Sequence, residues 1–337
     1  GIFMKKLIAL LLAVLMLLTL AACGGTETAA PAESGSAASS ASSGAKLRFV
    51  TGGESGTYYA FGSVIAQHAT NNAGVNVVGL VGNGSQANVM ELQDGNAELA
   101  FCQSDVMAYA YNGTNLFEET GKVDCFSTVA ALYMEQVQIV TTDSSIKTVE
   151  DLKGKRVSIG AAGSGVYFNA IDILGAYGLT EADITPTYQS FGDSANDIKD
   201  GKIDAAFIVA GAPTTAITDL ATTKDVYLVS LDDEHIESLC ATSDYYTKNV
   251  IPADVYGTDG DVTTVAVGAV ILARDDVSED AIYNFTKDLF DNAEAEVSSH
   301  AKYGELNLDF AASVTSVPYH PGAAKYFAEK GYTVPTK

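Results

Sequence analysis

The sequence predicts an α/β fold of two lobes, each built on a mostly parallel sheet and joined by a hinge that the chain crosses twice. Three observations predict it. Strand, polar loop and helix follow one another repeatedly, which implies right-handed crossovers between parallel strands. The chain has 337 residues, room for two domains of roughly 150 residues each. Thr263–Ala273 is a long apolar run rich in β-branched residues. Such a run suits a strand buried on both faces, returning the chain to the first lobe.

The first lobe opens with a strand at Leu47–Thr51, the loop Gly52–Gly56 and a helix at Thr57–Asn71. A strand at Val75–Leu80, the loop around Asn83 and Ser85, and a helix at Gln86–Asp94 follow. The third unit is Glu98–Cys102, then Gln103-Ser104-Asp105, then a helix over Val106–Tyr111. Phe126–Leu132 reads as a further strand, and Val137–Thr142 as a strand leaving the lobe. In the second lobe, Thr148–Lys155 is a short helix with a glycine stop. Arg156–Gly160 is a strand, broken by Gly163-Ser164-Gly165 before helical spacing resumes at Val166. Ile184–Tyr188 is a strand ahead of a helix led by Phe191. Ile203–Val209 is another, ending in Ala210-Gly211-Ala212-Pro213 before a helix at Thr214–Ala221. Val226–Leu231 is the last strand of this lobe. Ser278–His300 reads as one long helix capped by Ser278, and Pro321–Lys330 as the final helix. The expected division is therefore 46–140 plus 262–337 for lobe I and 141–261 for lobe II, with crossings near 136–142 and 258–264.

The N-terminus carries a separate signal. Met4-Lys5-Lys6, the apolar run Leu7–Leu20 and Leu20-Ala21-Ala22-Cys23 give a basic region, an apolar region and a small-residue cleavage site. The run is short for a membrane span, which needs about 20 residues. Leu-Ala-Ala-Cys resembles the lipobox of bacterial lipoproteins, in which the cysteine becomes the lipid-modified first residue. Residues 1–22 are then a signal peptide and 23–45, rich in Ala, Ser and Gly, a tether too poor in large apolar groups to fold. The formal charge of −23 excludes nucleic-acid binding by phosphate neutralisation. Cys102, Cys125 and Cys240, odd in number and widely spaced, form neither a disulfide framework nor a metal motif; they read as inert thiols, with room for one disulfide.

The four histidines show no metal-ligand spacing. Gly163-Ser164-Gly165 lacks the spacing of a nucleophile elbow, and Gly52–Thr57 lacks the lysine of a P-loop. No catalytic group, cofactor or metal is called for. A single glycine-rich loop between strand and helix is ordinary punctuation. Five on one topology are a binding edge, because each turns free backbone N–H groups and a positive helix end toward the carboxyl ends of the strands. The candidates are Ser55, Thr57 and Tyr58; Asn83 and Ser85; Gln103, Ser104 and Asp105; Gly163, Ser164, Gly165 and Val166; Phe191; and Ala210, Gly211, Ala212 and Pro213. Ser104, Ser164 and the amides of Gly165 and Val166 lead as carboxylate holders, Tyr58 and Gln103 as contacts to the rest of the ligand. Tyr58, Tyr59, Tyr133, Tyr167 and Phe191 are read equally as pocket walls or core. These loops carry no Arg or Lys.

Thr51–Tyr59, Gln103-Ser104-Asp105, Asp151–Val157, Gly163-Ser164-Gly165, Val209–Pro213 and Pro318–Ala323, in this order, resemble the TAXI family of TRAP-transporter solute receptors. The resemblance covers about Lys46 to Gly331. It implies a type II periplasmic-binding-protein fold closing on a small carboxylate such as glutamate, glutamine or a related dicarboxylate. It also implies delivery to TRAP membrane permease subunits, with transport driven by an ion gradient. With the lipobox, it implies a monomeric receptor held outside the cytoplasmic membrane by a lipid on Cys23. The alternatives on the same fold are the receptor of an ABC importer, an enzyme, and a sensory lipoprotein.

Overall fold

Among the described residues ten strands and eleven helices form, and the order of strands explains where the loops gather. The computed structural model describes Gly44 and residues 46–337. The signal peptide, Cys23 and, Gly44 apart, the tether lie outside the described residues. Three β–α units come first: β1 (Lys46–Val50) and α1 (Thr57–Asn72), β2 (Asn76–Leu80) and α2 (Ser85–Gln93), β3 (Leu99–Gln103) and α3 (Ser104–Asn112). After the one-turn α4 (Phe117–Thr120) comes β4 (Phe126–Thr141). A second run holds β5 (Arg156–Ser158) and α5 (Val166–Ala176), β6 (Thr185–Thr187) and α6 (Phe191–Lys199), and β7 (Ala205–Ala210) and α7 (Thr215–Ala221). Then follow β8 (Tyr227–Leu228), α8 (Asp233–Thr242), β9 (Thr247–Ile251), β10 (Val262–Arg274), α9 (Glu279–Asp291), α10 (Leu308–Ala311) and α11 (Pro321–Glu329).

The strands join one sheet in the order β2-β1-β3-β10-β4-β7-β5-β6, with β8 also on β4 and β9 on β10. The two flanks, β2-β1-β3 and β7-β5-β6, pair in parallel, as their helical crossovers require. Between them β10 and β4 pair antiparallel with each other and with their neighbours. Both are long and almost wholly buried, so they run through the centre and tie the flanks into one mixed sheet. The hydrophobic core divides accordingly. One cluster draws on residues from Leu47 to Tyr133, on Phe168 and on Ala269 to Phe327. The other two draw only on residues between Val137 and Val267.

Three expected elements differ, and α8 was not anticipated. Phe126–Leu132 and Val137–Thr142 are one strand, because Met134, Glu135 and Gln136 stay in register opposite Gly268, Val267 and Ala266. The helix from Ser278 ends at Asp291 rather than His300. Beyond Phe290 the sequence offers no apolar stripe, and a 3-10 turn over Ala301–Glu305 follows. The acidic run Asp232–Glu234 is exposed, and it also starts α8: Asp232 accepts a hydrogen bond from the His235 amide, and Asp233 and Glu234 occupy the first turn. Val226–Leu231 contains only a two-residue strand, and β9 was not anticipated. The three cysteines in the described region are free.

Candidate functional site

A cavity of about 400 Å³ opens where the helices of both flanks begin. Its walls are the segments 52–58, 81–85, 164–166 and 189–193, with Gln103, Glu135, Ala161, Asn196, Val209 and Ala210. Gly56, Gly84 and Gly165 are the N-cap residues of α1, α2 and α5, and none of these helices has a side-chain cap. No side chain of the N-cap residues takes up their first-turn amides, which sit at the positive end of each helix dipole, although the Ala87 amide of α2 donates to the Gly163 carbonyl. Glycine is required at two of these turns. Gly84 sits at φ +106°, and a Cβ there would meet Ser164 at 2.9 Å. Gly160, at φ +90°, would place a Cβ 2.6 Å from Ser164 Oγ.

Ser164 is 5% exposed, and its hydroxyl has no hydrogen-bond partner among the described residues. Such an orphan costs free energy unless something else satisfies it, and it lines the cavity. Gln103, the last residue of β3, packs directly on Gly165, where a Cβ would lie 2.3 Å from its Oε1. Its Nε2 donates to Asn169 Oδ1 at 2.8 Å and to Asp105 Oδ1 at 3.1 Å. Asn169, on α5, returns a bond to Asp105 Oδ2 at 2.9 Å. Asp105 is fully buried, and burial pushes its carboxyl up to about 6 against the pull of those bonds.

Glu135, on β4, is the deepest acid of the cavity at 1% exposure. It accepts a hydrogen bond from Tyr58 Oη at 2.5 Å. Tyr58 in turn stacks on Phe101 with ring centroids 4.6 Å apart. Burial drives the Glu135 carboxyl well above the usual carboxylate range, and the charge of Asp105 adds to it. Glu54 and Asp193 are the other lining carboxylates, both exposed. Among the described residues, no Lys, Arg or His lines the cavity. Arg48, Arg156 and Arg274 are engaged elsewhere, by Glu98, Asp204 and Asp276.

The structure brings Ser55, Thr57, Tyr58, Asn83, Ser85, Gln103, Ser164, Gly165, Val166, Phe191 and Ala210 to this one cavity. It takes six expected residues away from its walls. Ser104 Oγ accepts from the Gly268 amide and so faces β10. Asp105 lies behind Gln103. Gly163 lies on an adjoining groove, its carbonyl accepting from the Ala87 amide. The Gly211 carbonyl accepts from Thr57 Oγ1, the Ala212 carbonyl from Lys302 Nζ, and Pro213 is exposed. That loop is a latch between segments rather than a wall. Of the aromatic candidates, Tyr133 is buried core and Tyr167 belongs to the adjoining groove. Glu135, Gln189 and Ser190 line the cavity without having been anticipated. A serine directly ahead of a helix was the available signal for Ser190, whose side chain caps α6.

Among the described residues no group of three His, Cys, Asp or Glu side chains is placed to hold a metal ion. None of the helices described there is long and apolar enough to cross a membrane.

Among known proteins, the profile of the NMT1-like family matches residues 49–331. Among solved structures, a protein of Bordetella bronchiseptica RB50 is similar over 85% of this chain and 80% of its own, at 16% identity and a TM-score of 0.51. The alkanesulfonate-binding protein SsuA of Xanthomonas axonopodis pv. citri, bound to MOPS, matches over 84% and 83% at 17% identity and a TM-score of 0.47. The amino acid ABC transporter substrate-binding protein AbpA of Streptococcus pneumoniae, bound to L-arginine, matches over 78% and 93% at 14% identity and a TM-score of 0.45. The mixed α/β fold is shared with the Bordetella protein.

Proposed function

We propose that this chain, which belongs to the NMT1-like family, is an extracytoplasmic solute-binding receptor and not an enzyme. It captures a small carboxylate, of the glutamate, glutamine or dicarboxylate class, between lobe I (46–140 plus 262–337) and lobe II (141–261). One observation carries the reading. Ser164, whose buried hydroxyl has no partner among the described residues, lines a cavity into which three helices open without side-chain caps. A carboxylate there would satisfy the orphan hydroxyl and the amides of Gly165 and Val166 without any basic side chain. The motif resemblance set out above supports a TAXI-type TRAP permease as the recipient. The lipobox supports a monomer tethered by Cys23 outside the cytoplasmic membrane.

The test is calorimetry of L-glutamate, L-glutamine and glutarate on the body from residue 46, with Ser164→Ala alongside. Losing one hydrogen bond to a charged group costs roughly 1.5–3 kcal/mol, a tenfold to hundredfold loss of affinity. The melting temperature of the variant should hold or rise, since the hydroxyl it removes is unsatisfied. Wild-type affinity in the variant removes Ser164 from the site. Failure of all three solutes to bind removes the carboxylate reading. Dependence of uptake on an ion gradient, against dependence on ATP, separates a TRAP permease from an ABC importer.

A further inference from the structure

The cavity is lined by three carboxylates and, among the described residues, by no cation. Two of the three, Glu54 and Asp193, are exposed and hydrated. Glu135 is not: it is 1% exposed. Only one of its oxygens is bonded among the described residues, by the Tyr58 phenol. Burial raises its carboxyl most, the Tyr58 phenol that donates to it pulls the other way, and no cation among the described residues lines the cavity beside it. Asp105 of α3 carries the same sign, and Tyr58 of α1, Cys102 of β3 and Tyr133 of β4 are pushed upward by its charge. The buried amine with a neighbouring address, Lys302, already donates to the Ala212 carbonyl and to Glu305 Oε1. A buried carboxyl with one bonded oxygen, on the wall of a solute-sized cavity, has an open acceptor and no cationic partner among the described residues.

We propose that Glu135 seats the ammonium group of the solute. The inference rests on the receptor reading above and narrows it. With a carboxylate held by Ser164 and the α5 amides, the solute is a zwitterion or a cationic amine, and an amine-free diacid is a poor fit. Burial favours the protonated form of the Glu135 carboxyl when no ammonium is near. An arriving ammonium stabilises the anion, so the proton leaves Glu135 for the buffer. Binding is then linked to proton release, with no bond made or broken in the solute.

Calorimetry on the body from residue 46 tests this with matched probes: L-glutamate against glutarate, and L-arginine and putrescine as further amines. Each is measured at pH 7.5 in phosphate and in Tris, whose ionisation enthalpies differ. At least one amine should bind ten times more tightly than glutarate, with a heat that shifts between buffers in the direction of proton release. Glu135→Gln keeps an acceptor for Tyr58 and should lose both the preference and the buffer dependence. The wild-type buffer dependence needs no variant, so it stands as a readout even where Glu135→Gln lowers the melting temperature. Glutarate binding as tightly as L-glutamate overturns the ammonium seat and leaves the receptor reading intact. Retention of the amine preference by Glu135→Gln overturns the seat in the same way. Putrescine binding with no carboxylate bound keeps the seat and overturns the carboxylate reading. A panel in which no amine binds overturns the seat outright.

Discussion

Asp105→Asn should change how stability depends on pH, and the structure sets the size. Asp105 is fully buried, and its Oδ1 accepts from the Val106 amide and Gln103 Nε2, its Oδ2 from Asn169 Nδ2. Burial raises its carboxyl to about 6, whereas an unfolded aspartate titrates near 3.9. The folded protein thus binds the proton more tightly, and stability must fall as pH rises. This contribution is complete below about pH 4 and lost by about pH 7. The gap of about two pH units corresponds to about 3 kcal/mol. Asparagine cannot ionise, and its amide would confront the Asn169 amide, forfeiting one hydrogen bond. The wild-type advantage over Asp105→Asn should therefore shrink by about 3 kcal/mol between pH 4 and pH 7.5. Urea denaturation of both proteins at each pH measures it. Glu135 titrates in both proteins but loses the charge of Asp105 in the variant, so the difference curve reports Asp105 together with that coupling. Parallel curves would refute the assignment of this titration to Asp105.

Two further outcomes follow. Lys302, 4% exposed, reaches from the C-terminal segment to the Ala212 carbonyl. Lys302→Met keeps the buried stem and removes that bond, so the body should show a larger radius of gyration by small-angle scattering; an unchanged profile removes Lys302 as a latch. Cys23→Ala in the full chain should abolish partitioning of the processed protein into detergent, and a processed variant that still partitions there refutes the lipid anchor.

Most of the binding edge was legible because its chemistry is local. A strand, a glycine-rich loop and a helix start are written in consecutive residues, and the turns at Gly84 and Gly160 demand glycine outright. The residues that escaped notice depend on distant partners. Met134-Glu135-Gln136 reads as a polar gap between two strands. In the fold it is the middle of β4, and its polar side chains bond across the structure, Glu135 with Tyr58 and Gln136 with the Ala212 amide. Polar groups inside a strand buried on both faces were the available signal, because they persist there only with partners or a purpose. The reverse error befell Gly211, Ala212 and Pro213. Their loop has the composition of a binding turn, yet its carbonyls are claimed by Thr57 and Lys302, tertiary partners 154 and 90 residues away in sequence.

The charge of the chain and the charge of the cavity act on a solute over different ranges. The formal charge of −23 is carried largely at the surface, where physiological salt screens it beyond about 8 Å. It slows the approach of a dianion without deciding what binds. Inside the cavity a second carboxylate would meet the buried carboxyl of Glu135 and, among the described residues, no cation to offset its own charge. Uncapped helix ends offer roughly 0.3–1 kcal/mol each to an anion, enough to orient one carboxylate but weak against the cost of burying two beside a third. A zwitterion avoids that conflict: its anion meets the donors of α5 and Ser164 while its cation relieves Glu135. An arginine in the wall would hold a carboxylate more strongly, but it would also pair with Glu135 and remove the cavity's means of telling an amine from its absence.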